Sequence, residues 1–231
     1  MINIDRVYII CSEKYEADKY EKWQQWLDSN NINGEISFYK WGTELTQEEV
    51  DSYVLRDGTL EKYYPWRTGY PIRNSEASIA INFIKIFEDA YKKGYNRILT
   101  LESDVLLHPD FISKVNEILK MTEQVDLNVI SIGCGMGYRI KSESGENIIA
   151  GVNQFRCADS LIFTNTAIDY FYNNLKQIRV PVDEEFTRAV QENHISVYWL
   201  EPPIAIQQSQ MAGNSSQTQN GNYNLRIPWE I

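Results

Sequence analysis

The sequence predicts an α/β fold in which helices flank a single sheet. Short apolar runs typical of strands alternate along the chain with amphipathic segments typical of helices. One run, RILTL at residues 97–101, has no polar alternation, as expected for a central parallel strand that is buried on both faces. The chain has 231 residues, 43% of them hydrophobic, and can bury one core. We therefore expect one domain over residues 1–206, followed by a polar tail or lid over residues 207–231.

The first part of the chain predicts a strand, a helix and a second strand. Residues 6–10 form a short apolar run, and residues 16–27 carry an amphipathic pattern. Residues 30–34 are turn formers that end the helix, and residues 35–41 alternate in the manner of a strand. Residues 43–71 have no sustained period, so we expect an irregular excursion with room for one short helix.

The middle of the chain carries the clearest helix pattern. Ser75 can cap a helix whose apolar residues recur at helical spacing, and Gly94 can end it. The helix leads into the strand at residues 97–101. Pro109 fits the first turn of the next helix, and residues 127–133 form the next strand.

The last third of the chain continues the alternation. Strands are predicted at residues 148–152 and 160–164, and helices at residues 166–176 and 183–193. Residues 196–200 form a closing strand. These elements complete the sheet.

Charge and cysteine content exclude several classes of protein. The chain has 22 Lys and Arg against 32 Asp and Glu, and this net charge of -10 disfavours general binding to nucleic acid. Three cysteines without a CxxC pair favour a reducing compartment, so we expect a cytoplasmic protein. No segment approaches the roughly 20 continuous apolar residues of a membrane span. The chain has two isolated histidines, which disfavours a zinc site.

Two carboxylates follow the predicted central strand directly. Glu102, Ser103 and Asp104 lie where the ends of parallel strands form the ligand crevice of an α/β sheet. Two acids at this spacing can reach one cation, and their hard oxygen atoms suit Mg²⁺ or Mn²⁺ carrying a diphosphate. The alternative is a pair of loop acids that cap the helix starting near Pro109.

Two polar residues precede the long central helix. Arg73 and Asn74 are candidates for contact with a base or a phosphate, because the positive end of a helix favours an anion. The alternative is that Asn74 or Ser75 caps the helix and has no ligand.

Several stretches of the chain together resemble a known family of enzymes. They are RVYIICSEKYEADKYEKWQQWL (6–27), EASIAINFIKIFEDAYKKGYNRILTLESDVLL (76–107), SLIFTNTAIDYFYNNL (160–175), PVDEEFTRAV (181–190) and EPPIAIQQSQ (201–210). In their order and spacing they resemble the lipopolysaccharide-type enzymes of glycosyltransferase family 25. More broadly, they resemble A-type glycosyltransferases, which have a single Rossmann-like mixed sheet flanked by helices.

The resemblance implies transfer of a sugar from a nucleotide-sugar donor to a glycan, a lipid-linked sugar or another hydroxyl acceptor, with inversion. It implies that Glu102 and Asp104 hold Mn²⁺ or Mg²⁺ and that Ser103 contacts the donor. The acidic motif of the family is usually Glu-Asp-Asp or Asp-x-Asp, so Ser103 replaces its middle acid. The Ser-His pair of the family is replaced by Asn82 and Phe83.

The loop after the first strand is the implied site for the base and ribose of the donor. It contains Ile10, Cys11 and Ser12. The alternative is an ordinary turn between a strand and a helix.

The tail is expected to close over the donor. Residues 207–222 are polar, and we expect them to fold over a bound diphosphate. No histidine follows His194, so Gln207, Gln208, Ser209 or a water would replace the carboxy-terminal histidine that usually binds the metal in A-type enzymes.

Three acids at the start of a predicted helix are candidates for the catalytic base. Asp183, Glu184 and Glu185 lie in the PVDEE stretch, where the resemblance places acids on the acceptor side. The alternative is that Asp183 caps the helix while the two glutamates complement its dipole.

Two other functions stay open from the sequence. A nucleotidyltransferase also places acids at strand ends for Mg²⁺, but it needs a basic grip on a triphosphate, and no glycine-rich motif with Lys or Arg follows the first strand. A module that binds a nucleotide sugar or a glycan without catalysis is the third possibility.

Overall fold

The chain is built around a seven-stranded mixed sheet in a computed structural model that describes residues 2–63, 71–123, 125, 127–134 and 148–208. The strands are β1 (Arg6–Ile10), β2 (Gly34–Ser37), β3 (Arg97–Glu102), β4 (Val105–Leu107), β5 (Val129–Ser131), β6 (Ile148–Val152), β7 (Ser160–Thr164), β8 (Val197–Glu201) and β9 (Ala205–Gln207). The helices are α1 (Ala17–Ser29), α2 (Gln47–Tyr53), α3 (Thr59–Tyr63), α4 (Asn74–Lys93), α5 (Phe111–Met121), α6 (Asn165–Asn174) and α7 (Val182–Gln191). A short 3₁₀ turn spans Gly42–Glu44.

Several strands of the sheet end on the same side of it. The strand order is β2-β1-β3-β7-β5-β8-β6, and β4 pairs with β9 in a separate ribbon. Strands β1, β2 and β3 are parallel, β5 is parallel to β8, and β7 runs antiparallel to both β3 and β5. Strands β1, β2, β3, β5 and β8 therefore end on the same side, which we call the carboxyl end of the sheet. Strand β7 begins there.

The sheet is covered on both faces, as the predicted α/β fold requires. On one face, Tyr8, Ile10 and Ile98 pack with the apolar residues of α4, α6 and α7. On the other face, Val7 and Leu99, with their strand neighbours, pack against α1 and α5. Because β1 and β3 are buried on both faces, apolar and polar residues do not alternate along them.

The predicted fold class is confirmed, and the differences lie in short elements. The strand expected at residues 35–41 ends at Ser37, and the one expected at residues 127–133 covers only Val129–Ser131. Two short helices and a 3₁₀ turn occupy part of the segment at residues 43–71, where we expected one short helix at most.

The described residues contain no helix that is long and apolar enough to cross a membrane. The expected tail begins within β9, because Gln207 is the last residue of that strand. Residues 209–231 lie outside the described part of the chain, and so does most of the expected lid.

A buried ion pair ties β8 to the loop before β7. The guanidinium of Arg156 has no exposed surface, and its Nη1 lies 2.8 Å from Oε1 of Glu201, which is also buried. Nη2 of Arg156 donates to the carbonyl of Leu200 at 2.8 Å, and the guanidinium stacks over Trp199. A buried charge of this kind destabilises the fold strongly once its partner is removed.

We expect Glu201→Gln to lower the free energy of unfolding by about 2 kcal/mol, because it removes the charge that compensates a buried guanidinium. Unfolding in denaturant measures the loss. The control is Lys92→Ala, which breaks an exposed ion pair with Glu88 and should cost less than about 1 kcal/mol. Equal losses in the two variants would contradict the assignment.

Candidate active site

The acidic motif lies at the carboxyl end of the sheet, where β3 ends. Glu102 is the last residue of β3, and its backbone N–H donates to the carbonyl of Asp159 at 2.8 Å. The N–H of Ser103 donates to the carbonyl of Ile10 at 3.1 Å, and the indole of Trp23 donates to the carbonyl of Ser103 at 3.1 Å. The motif is thus bound through its backbone to the end of β1, to α1 and to the start of β7.

The hydroxyl of Ser103 faces α1. It donates to Oε1 of Glu16 at 2.6 Å, and the ammonium of Lys19 lies 2.7 Å from the same oxygen. In this arrangement the middle residue of the motif supplies no carboxylate to the site. It instead holds Lys19, a cation that sequence reasoning did not single out, beside the motif.

The segment after β8 returns to the acidic motif. Strand β9 pairs with β4, and Nε2 of Gln207 donates to Oε2 of Glu102 at 2.9 Å. Oε1 of Gln207 lies 3.6 Å from the thiol of Cys157, and the N–H of Gln208 donates to the carbonyl of Asp104 at 2.8 Å. The structure therefore brings Gln207 next to Glu102, with its amide nitrogen toward the carboxylate. Ser209, the third predicted tail ligand, lies outside the described residues.

Asp159 is a further candidate residue that the sequence analysis did not identify. It immediately precedes β7 and has no exposed surface. Neither of its carboxylate oxygens has a hydrogen-bond partner of good geometry among the described residues. The signal was an acid directly ahead of the apolar run SLIFT. Whether this acid lies at the carboxyl end of the sheet depends on the direction of β7, which the apolar run does not reveal.

Asp183 lies in the first turn of α7, which begins at Val182. It is half-buried, and its Oδ1 accepts from the N–H of Glu184 at 3.2 Å. Desolvation, followed by the negative charge of Glu184, raises the pKa of Asp183 to about 6. The charge of Glu76, in the first turn of α4, also raises this pKa.

Glu185 faces the loop before α7, and its carboxylate contacts backbone and side-chain donors there. Its Oε1 accepts from the backbone N–H groups of Arg179 and Val180, and its Oε2 lies 3.0 Å from the guanidinium of Arg188. The carboxylate is thus occupied on both oxygens. Of the three acids that we considered as the base, Glu185 is therefore the least available, since backbone and guanidinium groups already hold it.

We expect Glu185→Gln to lower the free energy of unfolding by about 1–2 kcal/mol, since it weakens hydrogen bonds to a charged group. Catalytic turnover should change little. Denaturant unfolding and a turnover assay on the same preparation measure the two effects. Loss of turnover at unchanged stability would instead make Glu185 a catalytic residue.

Four carboxylates, from Glu102, Asp104, Asp159 and Asp183, make up what we call the acid cluster. Burial raises the pKa of Glu102 well above its usual value, and the charges of Asp104, Asp159 and Asp183 raise it further. Burial also raises the pKa of Asp159 to about 6, although Arg156 and nearby backbone N–H groups act in the opposite direction. The cluster therefore carries negative charge that the fold compensates only in part.

Within the residues that the structure describes, no three His, Cys, Asp or Glu side chains form a ready cage for a metal ion. Burial and the charges of Asp159, Glu102 and Asp183 keep the nearby thiol of Cys157 neutral, because they raise its pKa well above the usual value. The oxygen atoms of the acid cluster are hard donors of the kind that Mg²⁺ and Mn²⁺ prefer.

A cavity of about 370 Å³ lies at the ends of β1 and β2. We call it the β1–β2 pocket. Its lining includes Cys11, Ser12, Tyr39, Lys40 and Trp41. Cys11 in its lining follows Ile10, whose carbonyl accepts from the N–H of Ser103 in the acidic motif. Burial, together with the charge of nearby Glu16, raises the pKa of the Cys11 thiol to about 12, so this wall of the pocket is uncharged.

Aromatic rings stand together at the β1–β2 pocket. The ring of Trp41 lies 5.0 Å from that of Tyr15 and 5.2 Å from that of Phe38. Flat apolar faces of this kind suit a planar ligand such as a base. Ile10 is buried in the core, and its carbonyl is bound to Ser103, so it supports the pocket from beneath.

Arg73 and Asn74 lie at the start of α4, with both side chains exposed. The N–H of Arg73 donates to the carboxylate of Glu76 at 2.8 Å. The backbone of α4 packs so closely on Gly42 that a Cβ there would lie 2.8 Å from the backbone nitrogen of Ser75. The start of α4 therefore lies beside the turn that follows Trp41.

The chain shows similarity to solved structures at low sequence identity. No protein-family model matches it, and no curated protein matches it. Among solved structures, it is similar to A197 from STIV, with 14% identity and a TM-score of 0.43, over 84% of this chain and 80% of that one. It is also similar to a glycosyltransferase involved in the glycosylation of the major capsid of PBCV-1, with 11% identity and a TM-score of 0.36, over 81% of this chain and 67% of that one. Membership of glycosyltransferase family 25, which the sequence resemblance implies, is not supported by a family match.

Proposed function

We propose that the protein is a glycosyltransferase that transfers a sugar from a nucleotide-sugar donor to a hydroxyl group of a glycan or similar acceptor. The observation that carries the proposal is the convergence of four carboxylates at the carboxyl end of the sheet, beside a pocket with aromatic walls. This is where α/β sheets bind their ligands. We further propose that the reaction uses Mn²⁺ or Mg²⁺ and inverts the anomeric centre.

The β1–β2 pocket is the proposed site of the donor's base and ribose. Its volume of about 370 Å³ falls within the range of about 300–1,000 Å³ that is usual for small-ligand sites. Trp41 and Tyr39 offer faces on which a base can stack, and Ser12 offers polar groups to the ribose. The diphosphate would then extend from this pocket toward Glu102 and Asp104.

The chemistry of the acid cluster fits a divalent cation. A diphosphate is negative and would be repelled by four carboxylates, so a cation must stand between them. Glu102 and Asp104 would hold it, and when bound it would stabilise as a Lewis acid the charge that develops on the leaving diphosphate. Lys19, held beside Ser103, adds a positive group of the chain itself near the same place.

Asp183 is the proposed general base. As the acceptor oxygen attacks the anomeric carbon, its proton passes to the carboxylate of Asp183, and the bond to the diphosphate oxygen breaks with its electron pair on that oxygen. A base works best when its pKa lies near the pH of operation, and the pKa of about 6 at Asp183 meets this requirement. Attack opposite the departing diphosphate inverts the configuration.

Incubation with UDP, GDP and CMP sugars in Mn²⁺ tests the proposal. We expect slow release of free sugar and nucleotide from at least one donor, since water replaces the missing acceptor. Binding without cleavage would indicate a non-catalytic binding module. A separate incubation with a nucleoside triphosphate and a sugar phosphate tests the other enzyme class. Release of diphosphate from that mixture would indicate a nucleotidyltransferase.

A further inference from the structure

Asp159 lies directly opposite Glu102 across two antiparallel strands. The register pairs Leu101 with Ser160, and the N–H of Glu102 donates to the carbonyl of Asp159 at 2.8 Å. Directly opposed residues of antiparallel strands point to the same face, with Cβ atoms about 4.5–5.5 Å apart. The two carboxylates therefore share one face of the sheet at its carboxyl end.

The carboxylate of Asp159 is only partly compensated by its surroundings. It is fully buried, and neither oxygen accepts a well-formed hydrogen bond from the described residues. Arg156 is close enough to act on it, but the guanidinium is already bound to Glu201 at 2.8 Å. A buried ionised carboxylate is costly unless a positive charge or hydrogen bonds compensate it.

The fold makes room for this carboxylate at Gly133. Strand β7 lies between β3 and β5, and Gly133 follows the end of β5. A Cβ at Gly133 would lie 2.2 Å from Oδ2 of Asp159, closer than any side chain could tolerate. The carboxylate is thus packed against bare backbone, between the ends of β3 and β5.

From these observations we infer that Asp159 is a further ligand of the divalent cation, opposite Glu102, and that Gly133 leaves the space for it. The inference rests on the proposed function. The acidic motif itself offers two carboxylates, and the hydroxyl of its middle residue, Ser103, is bound to Glu16. Divalent cations of this class take about six or more ligands, so the motif leaves coordination positions open. A bound cation would supply positive charge beside the buried carboxylate of Asp159.

Titration of Mn²⁺ alone into the full chain tests the inference. The paramagnetic resonance signal of the free ion measures how much Mn²⁺ remains unbound. Asp159→Asn should weaken Mn²⁺ binding at least about tenfold, the effect that even indirect supporting groups have on metal affinity. Without metal, its melting temperature should equal or exceed that of the wild type, because an uncompensated buried charge has been removed. The control is Asp89→Asn. Asp89 is not part of the acid cluster, and its carboxylate accepts from the hydroxyl of Tyr8 at 2.6 Å. This variant should bind Mn²⁺ like the wild type.

A second variant keeps the charge of Asp159 and displaces it. Gly133→Ala should also weaken Mn²⁺ binding, because the new methyl group occupies the place of Oδ2. Gly151→Ala is the matched control, since a Cβ there would lie 3.3 Å from the Tyr198 ring, which can move. If Asp159→Asn fails to fold, the two glycine variants test the inference in its place. Weaker Mn²⁺ binding by Gly133→Ala than by Gly151→Ala would support it, and equal binding would contradict it.

Asp104→Asn separates failure of the inference from failure of the proposed function. If this variant loses Mn²⁺ while Asp159→Asn and Gly133→Ala bind it like the wild type, Asp159 is not a ligand and the proposed cation stands. A wild type that does not bind Mn²⁺ would overturn the proposed cation and this inference together. A lower melting temperature of Asp159→Asn with unchanged Mn²⁺ affinity would make Asp159 a structural residue.

Discussion

Asp104→Asn is expected to lower the rate of sugar transfer about a thousandfold or more, with little change in stability. Its carboxylate is proposed to hold the cation that stabilises the leaving diphosphate, an effect of several kcal/mol on the barrier, and each 1.36 kcal/mol is a tenfold change in rate. The side chain is half-buried in the turn after β3, and the hydrogen bond from Gln208 goes to its backbone carbonyl, which the substitution keeps. Transfer rates at saturating Mn²⁺ and a thermal melt of the same sample measure both effects.

The control for this variant is Asp110→Asn. Asp110 is an exposed acid just ahead of α5, without a side-chain capping bond, so its rate and stability should match the wild type. Full transfer activity of Asp104→Asn in the presence of a chelator would rule out the metal role.

Asp183→Asn is expected to reduce turnover by about two orders of magnitude or more while the donor still binds. The amide cannot take the proton of the acceptor hydroxyl. In the wild type, the base is active when ionised, so the rate should rise with pH through about 6, the pKa of Asp183. The variant should lose this dependence. Rates from pH 5 to 8, with donor affinity by titration, measure these effects.

Glu184→Gln is the matched control for Asp183. Glu184 is its half-buried neighbour, and its charge contributes to the raised pKa. The variant should keep its turnover, and the acidic limb of its rate profile should move to lower pH. If Asp183→Asn turns over normally and melts at a lower temperature, Asp183 has only a structural role in the first turn of α7.

The same pKa has a consequence for stability. Because the pKa of Asp183 rises from 3.8 in the unfolded chain to about 6 in the folded one, the native state binds more protons between these values. Its contribution to the free energy of unfolding is therefore largest below pH 3.8 and is lost as the pH rises through 6. Asp183→Asn should remove this slope from the pH dependence of unfolding.

The fold was predictable because its signals are local. The unbroken apolar run that became β3 identified a strand buried on both faces, and the helical spacing of apolar residues identified α4. The position of Glu102 followed from the end of that strand. Helices α2 and α3 are only seven and five residues long, too short for a period to show in the sequence.

The parts of the site that were missed depend on contacts between distant segments. An apolar strand carries no mark of its direction, so nothing in the run at β7 placed Asp159 at the carboxyl end of the sheet. The pairing of β4 with β9 brings Gln207 to Glu102 across 105 residues, beyond the reach of periodicity. The role of Glu185 is set by the backbone N–H groups of residues 179–180, which the sequence pattern does not reveal.

The central claim is that the carboxyl end of the sheet binds a nucleotide-sugar donor through a divalent cation held by the acid cluster. Isothermal titration of UDP, GDP and CMP sugars into the wild type, once in Mn²⁺ and once in EDTA, tests it most directly. We predict that at least one donor binds in Mn²⁺ and that its binding is lost in EDTA and in Asp104→Asn. Failure of every donor to bind in Mn²⁺, or equal affinity in Mn²⁺ and EDTA, would contradict the claim.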